Sequence, residues 1–249
     1  MPRLRNKLIT EKTNLLLTRP EVDSEKLSKL LDKKKFNTFI APLIEIKKKS
    51  YQFKREIKYD FLIFTSKNGI LNFKDLKKKD RVVVIGDGTY QLAKEMGIKR
   101  VINVKGNSSD LKSKLRPLLK HGLSILHPTS TQLNLDLKEF FLDHGCNYYP
   151  IGCYNSSMKN SHAEVFKNFF RADKSGLVTI FSKKTSDSFK NEIKRLNLME
   201  NCKAKRILVL SNIIKSELAK FGLKNIFITK EPNEKSMIDL IIKISQKRY

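Results

Sequence analysis

Two stretches of the chain, Arg81-Val-Val-Val-Ile85 and Arg206-Ile-Leu-Val-Leu210, carry no polar residue after their first. A strand that is apolar on both faces has to be covered on both faces, which is the condition of a parallel sheet held between helices. The two stretches also belong to a larger repeated pattern. Sixteen residues after each Arg comes a Gly, in Met96-Gly97-Ile98-Lys99 and in Phe221-Gly222-Leu223-Lys224. Upstream of each lies a strand-like run ending in Phe64-Thr65-Ser66-Lys67 or Ile180-Phe181-Ser182-Lys183, with a Phe seven residues after the Ser, at Phe73 and Phe189. Such spacing marks two copies of one strand–helix unit.

The same alternation fills the rest of the chain. Further strands are expected at Asn14–Thr18, Thr38–Ala41, Asp60–Thr65, Arg100–Val104, Leu123–His127, Asn147–Gly152, Leu177–Phe181 and Asn225–Thr229. Between them run amphipathic stretches such as Glu21–Lys35, where Leu27, Leu30 and Leu31 fall at helical spacing. Shifting Leu17–Phe36 by 110 positions lays these leucines over Leu137, Phe140 and Phe141. Each copy then has about five strands, the size of a flavodoxin-like domain. The middle copy contains its own Leu126–Cys146 element, whereas the C-terminal copy lacks one that the N-terminal segment Asn14–Pro42 can supply. The expected architecture is therefore α/β, with two flavodoxin-like parallel-sheet domains. Residues 1–42 and 157–249 form a discontinuous first domain and residues 53–147 the second. The crossings 43–52 and 148–156 are expected to pair as a two-stranded antiparallel linker, leaving a cleft between the domains.

Composition narrows the function classes. Of 249 residues, 40% are hydrophobic and 15 are Phe, enough to bury a core, while 31% are charged. No apolar run reaches the roughly 18–20 residues that span a bilayer, and the basic start lacks the apolar segment of a secretory signal. A net charge of +26 favours polyanionic partners, nucleic acid or a polycarboxylate small molecule, although evenly spread Lys also makes an ordinary solvated surface. Cys146, Cys153 and Cys202 form no CxxC pair, and His121, His127, His144 and His162 have no metal-binding spacing. Reduced thiols, a cytoplasmic location and no metal are expected. Gly86-Asp87-Gly88 lacks the third glycine of a dinucleotide fingerprint, its place being Gln91, and no phosphate-loop or nucleic-acid-binding signature occurs.

A series of segments in fixed order resembles the uroporphyrinogen-III synthase family from about Asn14 to the C-terminus. It runs LLLTRPEVDSEKLSKLL, APLIEI, YDFLIFTSKNGILNF, RVVVIGDGTYQLAKEMGI, LHPTSTQLNLDLKEFFLDHGCNYYPIGCYNS, LVTIFSKKTSDSF, RILVLSNIIKSELAKFGL and KEPNEKSMIDLI. The resemblance implies a monomeric, cofactor-independent enzyme. It cyclises the linear tetrapyrrole hydroxymethylbilane, a substrate with eight carboxylates, with inversion of ring D and loss of water. Nucleic acid and membrane are not expected as partners, and a transient contact with the deaminase that makes the bilane is conceivable. The rival readings are a two-lobed anion-binding protein without turnover and a basic nucleic-acid-binding protein.

A many-armed carboxylate needs N–H donors, which helix N-termini supply. Thr65-Ser66, Thr89, Ser108-Ser109 and Ser182 stand where strands pass into helices and where N-caps are expected. An N-cap also stabilises its own helix by about 1 kcal/mol without any ligand. Arg19, at the end of the first strand, matches the basic residue of the family's opening motif and can fork onto a carboxylate. Lys67 and Lys183 follow the paired serines and add charge. Tyr154 matches the family's tyrosine on the return crossing, where a phenol can protonate the departing hydroxyl. The chain departs from the family at Ser211-Asn212-Ile213-Ile214, where a Gly-Pro-Thr-Thr-like turn is usual. It departs again at Thr129-Ser130, where an Arg-Gly-like pair is common.

Overall fold

The computed structural model of the chain describes residues 12–53, 56–106, 108–133, 135–160, 162–172 and 175–246. Its strands are β1 (Thr13–Leu17), β2 (Phe36–Ile40), β3 (Ile44–Lys48), β4 (Phe61–Phe64), β5 (Arg81–Ile85), β6 (Arg100–Val104), β7 (Ser124–Ser130), β8 (Asn147–Met158), β9 (Leu177–Ile180), β10 (Arg206–Val209) and β11 (Ile226–Ile228). Its helices are α1 (Glu21–Leu30), α2 (Lys67–Asn72), α3 (Asp87–Glu95), α4 (Ser108–Leu115), α5 (Leu135–Asp143), α6 (Ala163–Ala172), α7 (Lys183–Arg195), α8 (Met199–Lys203), α9 (Asn212–Lys220) and α10 (Glu234–Ser245). The chain divides into two units: Met1–Glu45 with Met158–Tyr249, and Ile46–Ser157.

The first unit holds a parallel sheet of order β11-β10-β9-β1-β2. Numbered along the chain within the unit, this is the order 2-1-3-4-5 read from the β2 edge. The sheet of the second unit is ordered β3-β8-β7-β4-β5-β6, and β8 through β6 are parallel. Counting from β7 rather than β4 gives 2-1-3-4-5 again, so the second sheet is a circular permutation of the first. β3 lies beside β8. The flanking bonds, Lys159 N–H to Leu43 O (2.9 Å) and Lys49 N–H to Cys153 O (3.0 Å), show the two strands running in opposite senses. β8 also pairs with β7 from Asn147 to Tyr154, so most of the return crossing is a regular strand of the second sheet.

Burial explains the apolar runs. In β1, Leu16 packs with Phe166, Phe169 and Phe189 on one face, while Leu15 and Leu17 pack with Leu27, Met237 and Ile241 on the other. In β4, Leu62 and Phe64 join Ile70 and Ala93, and Ile63 joins Leu111, Leu137 and Phe141. Leu137, Phe140 and Phe141 are all buried, but the expected counterpart face of α1 is not kept. Leu27 and Leu31 are buried, whereas Leu30, the last residue of α1, is 63% exposed; Leu31 is already extended and leads into the loop before β2. The repeated glycines have a shared reason: Gly97 and Gly222 adopt φ of +79° and +96° just past α3 and α9, a left-handed closure that side chains resist. Phe73 and Phe189 are both buried, yet Phe73 terminates the short α2 whereas Phe189 sits inside the longer α7.

α2 approaches β7 as closely as a glycine permits. A Cβ on Gly69 would lie 2.6 Å from the carbonyl oxygen of Pro128 and 2.9 Å from Phe64 Cδ1. Gly69→Ala is therefore expected to lower stability by about 2 kcal/mol despite the better helix propensity of Ala. The check is a urea midpoint that falls with an unchanged slope; an unchanged or higher midpoint contradicts the tight contact.

Candidate functional site

In a doubly wound sheet of order 2-1-3-4-5, helices depart to opposite faces beside strands 1 and 3, and a crevice opens at the carboxyl ends of those strands. In the first unit these strands are β1 and β9; in the second they are β7 and β4. Polar groups gather beside both pairs.

In the second unit the key contact joins Tyr154 to Ser66: the phenol oxygen is 2.9 Å from Ser66 Oγ. Ser66 is the N-cap of α2, its Oγ accepting from the Gly69 N–H at 3.4 Å. Tyr154 reaches this position through an irregularity in β8. Thr129 pairs with Gly152, but Ser130 pairs with Tyr154, leaving Cys153 as the extra residue of a bulge. Strict alternation would send neighbours to opposite faces. Here Cys153 and Tyr154 are both buried in the cluster built on Phe64, Ile70 and Phe73. Burial raises the Tyr154 phenol above its usual 10, opposed in part by the bond to Ser66, so the group keeps its proton at neutral pH.

The other expected residues separate by unit. Thr65 lies beside this pair, with Oγ1 3.3 Å from His127 Nε2. Lys67 is the first residue of α2, and its side chain crosses Gly88, where a Cβ would lie 2.6 Å from Lys67 Cε. The N-cap expectation at Thr89 is not met: Gly86, with φ of +81°, is the N-cap of α3, and Thr89 is buried in the helix's first turn. Ser108 and Ser109 likewise fall inside α4. In the first unit Ser182 caps α7, its Oγ accepting from Thr185 N–H at 3.1 Å, and Lys183 is exposed at the helix start. Arg19 lies 4.5 Å above the ring of Phe181, beside Ser182. Its guanidinium already holds carboxylates of this chain, Asp23 at 3.2 Å and Glu234. A ligand carboxylate at Arg19 has to share the guanidinium with them or replace one of them. Ser211, in the divergent turn, retains a hydroxyl that caps α9 by accepting from Ile214 N–H.

His127 and Tyr148 are the residues that sequence reasoning missed. His127 Nδ1 is 2.5 Å from the Tyr148 phenol oxygen, and the imidazole is 1% exposed. The available signal was a His directly after the apolar pair Ile125-Leu126 and before Pro128 in the middle of β7. Among the described residues no group of three or more His, Cys, Asp or Glu is placed to hold a metal ion, and no helix is long and apolar enough to cross a membrane.

Burial pulls the His127 imidazole down from 6.5 to about 4. The unfolded chain takes up this proton near pH 6.5 and the folded chain only near 4. The stability gained is thus complete above pH 6.5 and lost as the pH falls towards 4, by about 3 kcal/mol in all. Urea unfolding at pH 7.5 and pH 4 is expected to show this extra loss in the wild type relative to His127→Gln. An equal loss in both proteins means that His127 is not held neutral.

Solved structures with this arrangement exist. Uroporphyrinogen-III synthetase from Helicobacter pylori is 15% identical and superimposes with a TM-score of 0.62, covering 94% of this chain and 100% of that one. A mutant uroporphyrinogen III synthase from Thermus thermophilus is 14% identical, with a TM-score of 0.55 and coverage of 95% and 100%. At such identities the likeness establishes the fold, mixed α/β with parallel sheets. No curated protein sequence gives a match. The family model for uroporphyrinogen-III synthase HemD matches residues 25–239. With most of its length inside that match, this chain belongs to the uroporphyrinogen-III synthase family, cyclising lyases of haem biosynthesis.

Proposed function

We propose that this chain cyclises hydroxymethylbilane to uroporphyrinogen III with Tyr154 as the acid that releases water. The two units act as flavodoxin-like domains, and β3 and β8 serve as the linker between them. The shared 2-1-3-4-5 strand order supports the domain reading. The observation that carries the chemistry is the 2.9 Å contact between Tyr154 and Ser66 at the β8 bulge.

Loss of water from the substrate breaks the bond between the hydroxymethyl carbon and its oxygen. Electron density from the attached pyrrole expels the oxygen, and a proton must reach it as it leaves. A buried phenol that stays protonated is suited to give that proton. Ser66 is suited to hold the phenolate that remains, because the Gly69 N–H already binds its oxygen and leaves its own proton to donate. The remaining azafulvene cation is electrophilic and is attacked by the already substituted α-carbon of ring D. The older bond from that carbon to the neighbouring methylene breaks, and that methylene, now the cation, is captured by ring D's free α-carbon, which inverts the ring and closes the macrocycle. The proton shed when that pyrrole regains aromaticity balances the one Tyr154 gave. Binding draws on different groups. The net charge of +26 raises the local concentration of a polycarboxylate, while Arg19, Thr65, Lys67, Ser182 and Lys183 are the proposed contacts to its acidic arms. Thr89, buried in α3, is left to a supporting role.

The test supplies purified protein with hydroxymethylbilane and separates the type I and type III products. Type III product is expected, and Tyr154→Phe is expected to lower kcat about 100-fold with an unchanged thermal unfolding curve. If the wild type yields the spontaneous type I isomer alone, the synthase reading is wrong. Tight ligand binding without product then favours an anion-binding module, and nucleic-acid affinity that falls steeply with salt favours a nucleic-acid-binding protein.

A further inference from the structure

The acid chemistry at Tyr154 leaves a second hydrogen-bonded chain in the same unit unused. Tyr148 Oη and His127 Nδ1 are 2.5 Å apart, and His127 Nε2 and Thr65 Oγ1 are 3.3 Å apart. Relative acidity gives the first contact its direction. A phenol gives up a proton far more readily than the N–H of a neutral imidazole, and the bare imidazole nitrogen is the better acceptor, so the phenol donates to Nδ1. Both groups are also kept neutral by burial, which raises the phenol and lowers the imidazole.

A neutral imidazole has one N–H. With Nδ1 accepting from Tyr148, that N–H is on Nε2 and is directed at Thr65 Oγ1. The Thr65 oxygen then receives a proton from His127 and turns its own proton elsewhere. In the opposite tautomer the Thr65 proton would be consumed on Nε2, and a ligand would meet only lone pairs. Thr65 is half-buried and precedes Ser66, the partner of Tyr154.

We infer that Tyr148 and His127 are positioning residues that commit the Thr65 hydroxyl to donate to a carboxylate of the substrate. The inference deepens the synthase reading and rests on it for the identity of that substrate. A carboxylate takes protons and offers none, so the fixed tautomer selects for an acidic arm of the bilane at this point.

Two measurements test it. Nitrogen-15 NMR of ligand-free protein is expected to show His127 neutral, with Nε2 protonated and Nδ1 bare. A ring protonated on Nδ1, or on both nitrogens at neutral pH, overturns the relay. In turnover with hydroxymethylbilane, Thr65→Val is expected to raise KM about tenfold, the loss of one hydrogen bond to a charged group, with kcat changed less than twofold. Tyr148→Phe is expected to raise KM several-fold, and to add nothing in the Thr65→Val background. If the two substitutions multiply instead, Tyr148 does not act through Thr65 and the inference fails. The NMR result does not depend on turnover. An intact Nε2 tautomer in a wild type that makes no type III isomer strikes at the synthase reading, whereas the wrong tautomer strikes at the relay.

Discussion

Coverage of each sheet on both faces governs where chemistry can occur in this protein. Leu15, Leu16 and Leu17 in β1, and Leu62, Ile63 and Phe64 in β4, send consecutive side chains into opposite clusters. Parallel neighbours satisfy the backbone groups between them. The interior of either sheet is thus spent on packing. Polar side chains inside the sheets, such as Thr179 and the His127–Tyr148 pair, are bonded within the protein, and further hydroxyls gather at the strand ends, where helices begin and unpaired N–H groups are in supply. Ser66, Ser182 and Ser211 occupy such ends, each bonded to the backbone three residues on. The hydroxyls proposed to meet a polycarboxylate substrate are therefore a by-product of how the helices are capped.

Packing also brings the Tyr154 phenol to Ser66. Without the β8 bulge, Cys153 and Tyr154 would face opposite sides of the sheet; with it, both enter one cluster and the phenol meets Ser66. The contact further depends on Gly69, which lets α2 close on Pro128 and supplies the N–H that binds Ser66 Oγ. Gly88 does the equivalent for α3, leaving room for the Lys67 side chain. A bulge and two small residues thus tie the stability of the second unit to the geometry around Tyr154 and Ser66.

Much of the fold was legible because it follows from periodicity. The runs at Arg81 and Arg206, the glycines at 97 and 222 and the phenylalanines at 73 and 189 are local patterns with local causes, and each has a buried or left-handed position to match. Where a helix begins or ends depends on more than its own residues. Leu30 looked like part of an apolar face, but it is the exposed last residue of α1, and Leu31 reaches the core from the extended turn after it. Thr89 looked like a cap, but Gly86, free to take positive φ, starts the helix three residues earlier.

The candidate site divides along the same line. Ser66, Ser182 and Tyr154 could be named from the repeat and the family motif, and Arg19 from its place after the first strand. That Arg19 is already held by Asp23 and Glu234 could not, since Glu234 lies 215 residues away in sequence. Nor could the chain from Tyr148 through His127 to Thr65, which runs from β8 through β7 to the residue just past β4 in the register of the sheet. The sequence by itself determined the α/β class, the duplication and the hydroxyls at strand ends, because hydrophobic period and capping chemistry act over a few residues. Tertiary structure alone decided which side chains share a hydrogen bond, because that depends on strand order, a one-residue bulge and burial, none of which is a local property of the chain.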